Sequence, residues 1–311
     1  MRKIFIAVLA LAAMASCSKE YTISNDKQAI AFGEAFVNNG TRADYSEVGK
    51  PVEAFKVYGT LTGSYNTIQI FNAADVTKPD NYYNNGVYDS SKAWLCTQTQ
   101  YWVPNATYEF AAIVDGVAEA TTGLPETIKF TVADGDANKD LLYATATASV
   151  DVNGNVTTGN TNGLVAFSFD HILSKVMFTV NSTMGTGYSI KVTGITVEGV
   201  AEKGIYNVTT GTWAQDGSST TSLNFISAVD TYQTRQILPV EQELKVTIAY
   251  DIYYGDTKIS NGEKSGTIPA TQEYAPKHVY NITATITATN EIKFTVSAVN
   301  GWTNGNGITL Q

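Results

Sequence analysis

Few side chains in this sequence are suited to chemistry, and they are spread along the chain. Its 311 residues include two cysteines, Cys17 and Cys96, and two histidines, His171 and His278. A metal centre or a catalytic triad needs several such groups close together. The sequence contains no Gly-x-Ser-x-Gly, His-Glu-x-x-His or glycine-rich phosphate loop. We therefore predict no catalytic residue, no metal, no cofactor and no enzymatic activity.

Cys17 closes a segment with the features of an export signal. Arg2 and Lys3 precede an apolar run, Ile4–Ala13, and small residues then lead directly to the cysteine. The run is too short for a membrane-spanning helix, which needs about 20 apolar residues. The sequence before Cys17 resembles the lipobox of bacterial lipoproteins, which implies an acylated cysteine as the first mature residue. The alternative is an ordinary secretory signal with a stray cysteine, and both predict a signal peptide over residues 1–16.

Charge and the second cysteine narrow the class of protein further. The formal net charge is −9, and it becomes −11 when Arg2 and Lys3 leave with the signal. Such an acidic chain lacks the basic surface that nucleic acid and anionic lipid attract, so we predict no nucleic-acid partner. Once Cys17 is acylated, Cys96 has no disulfide partner. The apolar neighbours of Cys96 favour a buried, inert thiol over a reactive one.

The spacing of apolar residues is that of β-strands in most of the chain. Thr, Val, Ile, Tyr and Phe alternate with polar residues at a period of two, and Asn-Gly and Asp-Gly pairs recur. Such strands bury one face against another sheet, which predicts an all-β fold of packed sheets. The clearest examples are Phe55–Leu61, Thr67–Phe71, Tyr108–Ile113, Thr127–Val132, Lys175–Val180, Ile190–Ile195, Leu244–Ile248 and Glu291–Val296.

The length of the chain suits two domains of about 100 to 200 residues each. The longest polar, turn-rich interval covers residues 151–163, which predicts a boundary near residue 160. A first β-sandwich domain would then cover residues 43–160 and a second one residues 161–311. Each has a length that suits seven or more strands.

Arginine is rare after the signal, where only Arg42 and Arg235 occur. Arg42 lies in a polar, glycine-containing stretch of the kind that proteases cut. Arg235 precedes an apolar run, and we expect a folded strand to shield it. The sequence therefore predicts Arg42 as a processing site and residues 17–42 as a removable N-terminal segment. The alternative is a surface linker in which Arg42 has no role.

The segment before Arg42 has the pattern of a β-strand. Ile30, Phe32 and Phe36 alternate with smaller residues, so we expect the three large side chains to share one face. Their burial would contribute about 5 to 9 kcal/mol before ordering costs. A cut at Arg42 would not expel this strand, but it would make the strand exchangeable. The emptied groove would then offer unpaired strand edges to a strand from another chain.

Four sequence words, in order, resemble those of the fimbrillin family, the lipoprotein-derived subunits of type V pili. Phe169–Phe178 contains the family's F-x-H-x-L-S-K-V segment, and Tyr101–Ala112 is similar to its W-P and Y-x-F-x-A stretch. Lys139–Ala144 resembles its D-L-L-x-A word, and Val279–Trp302 resembles its closing Y-x-I, I-x-F-x-V and W. Each word is short, but the ordered set covers most of the mature chain.

The resemblance implies two transthyretin-like β-sandwich domains in tandem and export as a lipoprotein with palmitate or similar acyl chains on Cys17. It implies an outer-membrane anchor, and then a cut between Arg42 and Ala43 by an arginine-specific protease. Assembly into a cell-surface fimbrium with other pilin subunits would follow, by exchange of the strand Ile30–Val37. The chain departs from the family in its short end, where Ile308 and Leu310 alone could serve as donor residues. Its place in shaft, tip or anchor therefore stays open.

Two further patterns admit other readings. A monomeric surface lipoprotein could bind carbohydrate or a host ligand through aromatic side chains, which stack on sugars. The aromatic residues concerned are Tyr82, Tyr83, Tyr88, Trp94, Tyr101 and Trp102.

Asp134–Asp140 has oxygen ligands at the early spacing of a calcium loop, but it lacks the glycine and glutamate of that motif, so a solvated turn is the alternative. His171, inside an apolar strand, is expected to be structural.

Overall fold

A computed structural model describes residues 28–37, 52–84, 87–89, 91–119, 123–158, 162–287, 292–300 and 308–309. These residues form an all-β structure of packed sheets, as the sequence predicts, with one 3₁₀ turn at Gly135–Ala137. All eight strands that the alternation predicts are present, and several, such as Thr67–Thr77, Tyr188–Ala201 and Leu244–Tyr254, are longer than the predicted segment. The fold class is therefore confirmed.

The strands of the first half are β1 (Phe32–Val37), β2 (Ala54–Thr62), β3 (Thr67–Thr77), β4 (Tyr83–Asn84), β5 (Val87–Tyr88), β6 (Leu95–Cys96), β7 (Ala106–Val114), β8 (Val117–Glu119), β9 (Thr127–Thr131), β10 (Leu142–Val150), β11 (Val156–Thr158) and β12 (Val165–His171). Those of the second half are β13 (Ser174–Thr183), β14 (Tyr188–Ala201), β15 (Lys203–Asn207), β16 (Thr212–Gln215), β17 (Thr220–Asn224), β18 (Ile226–Ala228), β19 (Thr231–Tyr232), β20 (Arg235–Ile237), β21 (Leu244–Tyr254), β22 (Thr257–Ile268), β23 (His278–Thr287), β24 (Ile292–Asn300) and β25 (Ile308–Thr309).

Within the described residues, these strands form four larger sheets and two short hairpins. The N-terminal sheet has the order β1-β12-β10-β7-β2-β3-β6, with β11 also paired to β10. The other sheets have the orders β20-β13-β23-β24-β25, β17-β14-β21-β22 and β16-β15-β9-β8. Most neighbours are antiparallel; β1 with β12 and β13 with β23 are parallel.

The N-terminal sheet folds over on itself around an aromatic core. In sheet order β1 is separated from β2 by β12, β10 and β7, yet the ring centroid of Phe32 in β1 lies 6.4 Å from that of Phe55 in β2. Phe71 in β3 is closer still, at 5.3 Å. The sheet therefore supplies both layers of its own sandwich. The buried phenylalanines of this core are Phe32, Phe55, Phe71, Phe110, Phe167 and Phe169.

A second core lies under the strands of the second half and is mainly aliphatic. Strand β23 shows why these sequences form strands: Ile282, Ala284 and Ile286 are fully buried, while the residues between them are half-buried. This core also takes in Ile113 and Leu141 from the first half. In addition, β9 of the first half pairs with β15 of the second. The two halves thus share a sheet and a core.

The predicted domain boundary near residue 160 falls between β11 and β12 and stays a prediction. Asp151–Asn155 forms the hairpin turn between β10 and β11, where the Asp151 carboxylate accepts hydrogen bonds from the amides of Asn153 and Asn155, both at 2.8 Å. Strand β12, which follows the predicted boundary, belongs to the N-terminal sheet. The sheet of the first half is therefore completed by residues from beyond that point.

Candidate functional site: the groove filled by the N-terminal strand

The N-terminal strand β1 occupies an edge of the N-terminal sheet. It pairs in parallel with β12, in a register that places Phe32 opposite Val165 and Val37 opposite Phe169. Just before β1, the carbonyl of Ala31 accepts a hydrogen bond of 2.9 Å from the amide of Val165. The segment that the sequence predicts to be a removable strand is therefore part of a sheet.

The other side of this strand contacts an irregular segment, residues 94–102. The amide of Ile30 donates to the carbonyl of Gln100 at 2.8 Å, and the amide of Trp94 donates to the carbonyl of Phe32 at 2.8 Å. Further bonds come from Trp102 to Gln28, at 3.1 Å, and from Val52 to Ala35, at 3.0 Å. The strand thus lies in a groove with backbone partners on both walls. These are bonds that any extended peptide could make.

A β-bulge at Glu34 interrupts the alternation that the sequence suggests. Glu34 has a φ of 50°, and the register with β12 shifts between Gly33 and Ala35. Ala35 consequently takes the fully buried position, while Phe36 is half-buried against Tyr82, with ring centroids 6.4 Å apart. Ile30 and Phe32 are buried as expected. The bulge itself has no clear signal in the sequence.

The ring of Phe32 fills a pocket at the centre of the groove. It has no exposed surface, and four phenylalanine rings surround it, with centroids between 5.3 and 6.4 Å away. Beneath them, Gly59 leaves room for the rings, since a Cβ there would lie 2.9 Å from Phe110 and 3.0 Å from Phe71. Burial of Ile30 and Phe32 contributes about 3 to 6 kcal/mol to retention of the strand. Phe32 is therefore the principal anchor.

Gly33 passes through a narrow part of the groove. A Cβ atom built on it would lie 2.6 Å from Cδ1 of Leu164 and 3.2 Å from the carbonyl oxygen of Lys92. A glycine inside a strand often marks such a close approach, so the sequence held a weak signal for it. Leu164 and Lys92 are distant from Gly33 in sequence, and no pattern indicates them.

Two aromatic side chains, those of Tyr82 and Trp94, form part of one wall of the groove. The rings of Tyr82 and Trp94 are both buried, with centroids 5.4 Å apart. Burial raises the pKa of the Tyr82 phenol above its ordinary value of 10.0. Lys92 is held on this wall by its ammonium, which donates to the carbonyl of Asn81 at 2.8 Å.

Strand β12 depends on β1 for most of its pairing. With β10 it pairs only through His171 and Asp170, at one end. Within the described residues, Val165–Phe169 pair in a β-ladder with β1 alone. A cleft of about 650 Å³ separates this part of β12 from the middle of β10. Departure of β1 would therefore leave most of β12 without a neighbouring strand.

The other predicted site residues fall outside these contacts. Cys17, Arg42, Ala43 and Leu310 lie outside the described residues. Ile308 begins β25, which pairs with Ser297 and Ala298 in β24 over two residues. The lipidation and processing sites therefore stay predictions, as do the strand-exchange residues.

Three of the six aromatic residues suggested for carbohydrate binding are buried. Tyr82, Trp94 and Trp102 are at most 8% exposed and belong to the N-terminal core, because β1 and its neighbouring loop cover them. Tyr101 is exposed, and the side chains of Tyr83 and Tyr88 lie outside the described ones. Tyr82, Trp94 and Trp102 are therefore unavailable to a ligand while β1 is in place, and carbohydrate binding stays a prediction.

Several polar side chains that drew attention in the sequence have structural contacts. His171 is 4% exposed, and its Nδ1 pairs with the carboxylate of Asp140. Asp134 accepts a 2.8 Å bond from the amide of Asn224; burial opposes ionisation, but this and other hydrogen bonds lower its pKa. Arg235 lies 3.5 Å from Asp134 and is 13% exposed, so its predicted shielding is confirmed.

Among the described residues, no group of three or more His, Cys, Asp or Glu side chains is placed to hold a metal ion. Cys96 carries a half-buried free thiol, and burial raises its pKa. The helices of the described residues include none long and apolar enough to cross a bilayer.

The sequence model of the family described as fimbrillin-like matches residues 41–302. This chain belongs to the fimbrillin-like family. The predicted resemblance is thereby confirmed. Strands β1 and β25 lie outside the matched residues. No curated protein matches the chain.

Solved structures of a fimbrial protein and of cell adhesion proteins from Bacteroides species have a similar fold. A fimbrial protein from Bacteroides vulgatus is 18% identical with a TM-score of 0.58, and the match covers 88% of this chain and 99% of that one. A candidate cell adhesion protein from Bacteroides uniformis is 14% identical, with a TM-score of 0.53 over 90% and 99% of the two chains. One from Bacteroides ovatus is 13% identical, with a TM-score of 0.51 over 91% and 100%. At these identities the likeness concerns the fold.

Proposed function

We propose that this protein is a pilus subunit that assembles at the cell surface by β-strand exchange. It is exported as a lipoprotein held to the outer membrane through Cys17. An arginine-specific protease cuts between Arg42 and Ala43, β1 leaves its groove, and a strand of another pilin subunit replaces it. Membership of the fimbrillin-like family and the fimbrial and adhesion names of similar structures support the pilus or adhesin role.

The observation that carries the exchange step is the position of β1. It lies at a sheet edge, its backbone bonds are of a kind that any strand can make, and one deep anchor, Phe32, retains it. Its covalent connection to β2 keeps it in place at a high effective concentration. A cut in that connection makes occupancy depend on the concentration of competing strands.

The need of β12 for a partner favours replacement over simple loss. Without β1, the residues Val165–Phe169 would present unpaired backbone groups, and Phe167 would lose a ring contact in the core. Unpaired strand edges bind further strands. A replacement strand therefore restores the sheet and the core together.

The test begins with the unlipidated full chain, in which Cys17→Ser removes the acylation site. Treatment with an arginine-specific protease should cut after Arg42, and after Arg2 if the signal segment is still present, but not after Arg235, because that side chain is shielded. Mass spectrometry identifies the cut, and native gels follow assembly. We expect ladders of multimers from the cut chain and only monomers from the Arg42→Ala chain.

Equal assembly of the cut chain and the uncut Arg42→Ala chain would contradict the processing step. A cut chain that retains its own strand against a large excess of competing subunits would contradict the exchange step.

A further inference from the structure

Strand β1 contains a residue in a backbone conformation that strands avoid. Glu34 has a φ of 50°, in the left-handed region that favours glycine. Among the described residues, six non-glycine residues have a positive φ, and only Glu34 and Ala73 lie inside strands. This conformation is disfavoured for every residue with a Cβ atom, because the Cβ approaches the following carbonyl oxygen. Glu34 therefore adds strain to the strand that we propose is removed.

The register of β1 shows what the bulge at Glu34 avoids. Phe32 lies opposite Val165, so in a regular ladder Glu34 would lie opposite Phe167, two residues further along both strands. Phe167 is 2% exposed and its ring centroid lies 6.0 Å from that of Phe32, so this position faces the aromatic core. A carboxylate in such surroundings is strongly disfavoured. The bulge places Ala35 opposite Phe167 instead and leaves Glu34 half-buried.

Both conformations that are open to Glu34 therefore weaken β1. A regular strand would bury a carboxylate among aromatic rings, whereas the bulge requires a strained backbone. A bulge also leaves one residue without a ladder partner, and it is rare in a parallel pair of strands. Glycine at this position would accept the bulge without strain, because glycine readily adopts a positive φ.

The bulge also divides the pairing of β1 into two short stretches. Phe32 and Gly33 pair with β12 on one side of Glu34, and Ala35–Val37 pair with it on the other. The deep anchor, Phe32, lies in the first stretch, while Phe36 in the second is only half-buried. The second stretch is therefore the part of β1 that is held less firmly.

We propose that Glu34 is a built-in destabilising residue, which weakens the retention of β1 and so sets how readily this strand leaves its groove. This inference rests on the proposed function, because the departure of β1 matters only if the strand is replaced. Phe32 retains β1 while the chain is intact, and the strain at Glu34 favours departure once the connection is cut. Strain of this kind is common at positions where a structure must change. A replacement strand without such a residue is retained more firmly, which gives the exchange a direction.

Departure of β1 from the cut, unlipidated full chain tests the proposal. A fluorescent peptide of residues 28–37 is added in large excess, so the rate of its uptake, followed by fluorescence anisotropy, reports departure of the resident strand. We expect Glu34→Gly in the protein to slow uptake about fivefold, because glycine removes the strain. Glu34→Gln should leave the rate unchanged, since glutamine keeps both a polar side chain and the strained backbone.

Ala73→Gly is the matched control in a strand that is not removed. Ala73 has a φ of 51° and also lies at a bulge, in the pairing of β3 with β2. Glycine there relieves the same kind of strain, but β3 remains part of the protein after the cut. Uptake of the peptide should therefore be unchanged. If Ala73→Gly slowed uptake as much as Glu34→Gly, overall stability would govern departure and the proposal would be wrong.

A second measurement leaves the protein itself unaltered. The 28–37 peptide that carries Glu34→Gly competes with the fluorescent wild-type peptide for the groove of the cut chain. We expect the variant peptide to bind about fivefold more tightly than the unlabelled wild-type peptide. Equal affinities would overturn the proposal, and misfolding of a protein variant could not account for them.

The outcomes separate this inference from the function on which it rests. Failure of the wild-type peptide to enter the cut chain would overturn the proposed function. Hydrogen exchange in the uncut chain would still test the strain, since Glu34→Gly should raise protection of the Val165–Phe169 amides about fivefold. Equal uptake by the wild-type and Glu34→Gly chains would leave the proposed function in place and overturn the role of Glu34. Equal slowing by Glu34→Gly and Glu34→Gln would assign the effect to charge and overturn its origin in the backbone.

Discussion

Both halves of the protein contain one parallel pair of strands, and the two pairs are held very differently. In the second half, β23 lies between β13 and β24 and forms nine ladder pairs with each. In the first half, β1 lies at a sheet edge and forms five pairs with β12, interrupted by a bulge. One parallel pair therefore lies in the interior of a sheet, and the other lies at a sheet edge.

The difference in position predicts a difference in how strongly the two strands are held. Strand β23 connects two neighbours, so its loss would divide a sheet. Loss of β1 would remove the ladder partner of β12 and a few backbone hydrogen bonds to residues such as Trp94 and Val52, and it would open one aromatic pocket. Opening free energies vary across a structure in this way, and binding regions come from the low end. Each of the following predictions tests this contrast, and they are ordered by expected effect.

Phe32→Ala should have the largest effect, a loss of about 3 to 5 kcal/mol, because it empties a pocket lined by four rings. Hydrogen exchange should show the loss first in the amides of Val165–Phe169, which pair with β1. Ile282→Ala in β23 is the matched variant, with an expected loss of about 2 to 5 kcal/mol. It should lower protection across the second half instead. If both variants reduced the protection of amides from hydrogen exchange equally in β1 and in β23, the two strands would not differ in how strongly they are held.

Asp140→Ala should lower the free energy of unfolding by about 1 to 3 kcal/mol, because it removes the carboxylate that pairs with buried His171. This pair lies at the end of β12 that β10 holds. Urea denaturation measures the change, and exposed Asp136→Ala is the control. Strand exchange after the cut should keep its rate, since this end of β12 is independent of β1. A faster exchange would show that the two ends are coupled.

Tyr143→Phe should alter the stability of the protein in alkali. Burial raises the pKa of Tyr143 to about 12, above its ordinary value of 10.0, so the folded state keeps the phenol protonated. Its contribution is fully present below pH 10 and is lost as the pH rises towards 12, because the unfolded chain ionises first. Urea midpoints between pH 9 and pH 12 should therefore fall less steeply in the variant. Tyr65→Phe, at a residue that is 95% exposed, should leave the slope unchanged.

Lys277→Gln should have the smallest effect, below about 1 kcal/mol. Its ammonium lies 2.7 Å from the carboxylate of Asp170 in β12, but the two side chains are 51% and 39% exposed, so solvent screens the pair. The pair connects the last strand of the first half to the second half. A larger loss in thermal unfolding would mean that surface charge, rather than the shared sheet and core, joins the halves.

The sequence predicted which segments form the groove better than it predicted how those segments are arranged. The alternation of Ile30 and Phe32 indicated a strand with a buried face, since side chains in a strand alternate between faces. It also led us to place Phe36 on that face, which the bulge at Glu34 prevents. The aromatic residues Trp94 and Trp102 suggested an exposed binding surface, whereas they are buried beneath β1. Composition identifies which residues are suited to burial, but not which segment will cover them.

By itself the sequence determined the all-β class, the family and the strand before Arg42, because periodicity and short sequence words are local properties of the chain. Only the tertiary structure decided that β1 lies at an edge, runs parallel to β12 and passes between Leu164 and Lys92. These facts depend on contacts between residues far apart in the chain. Their physical cause is the folding of one sheet around a common core, which no local pattern records.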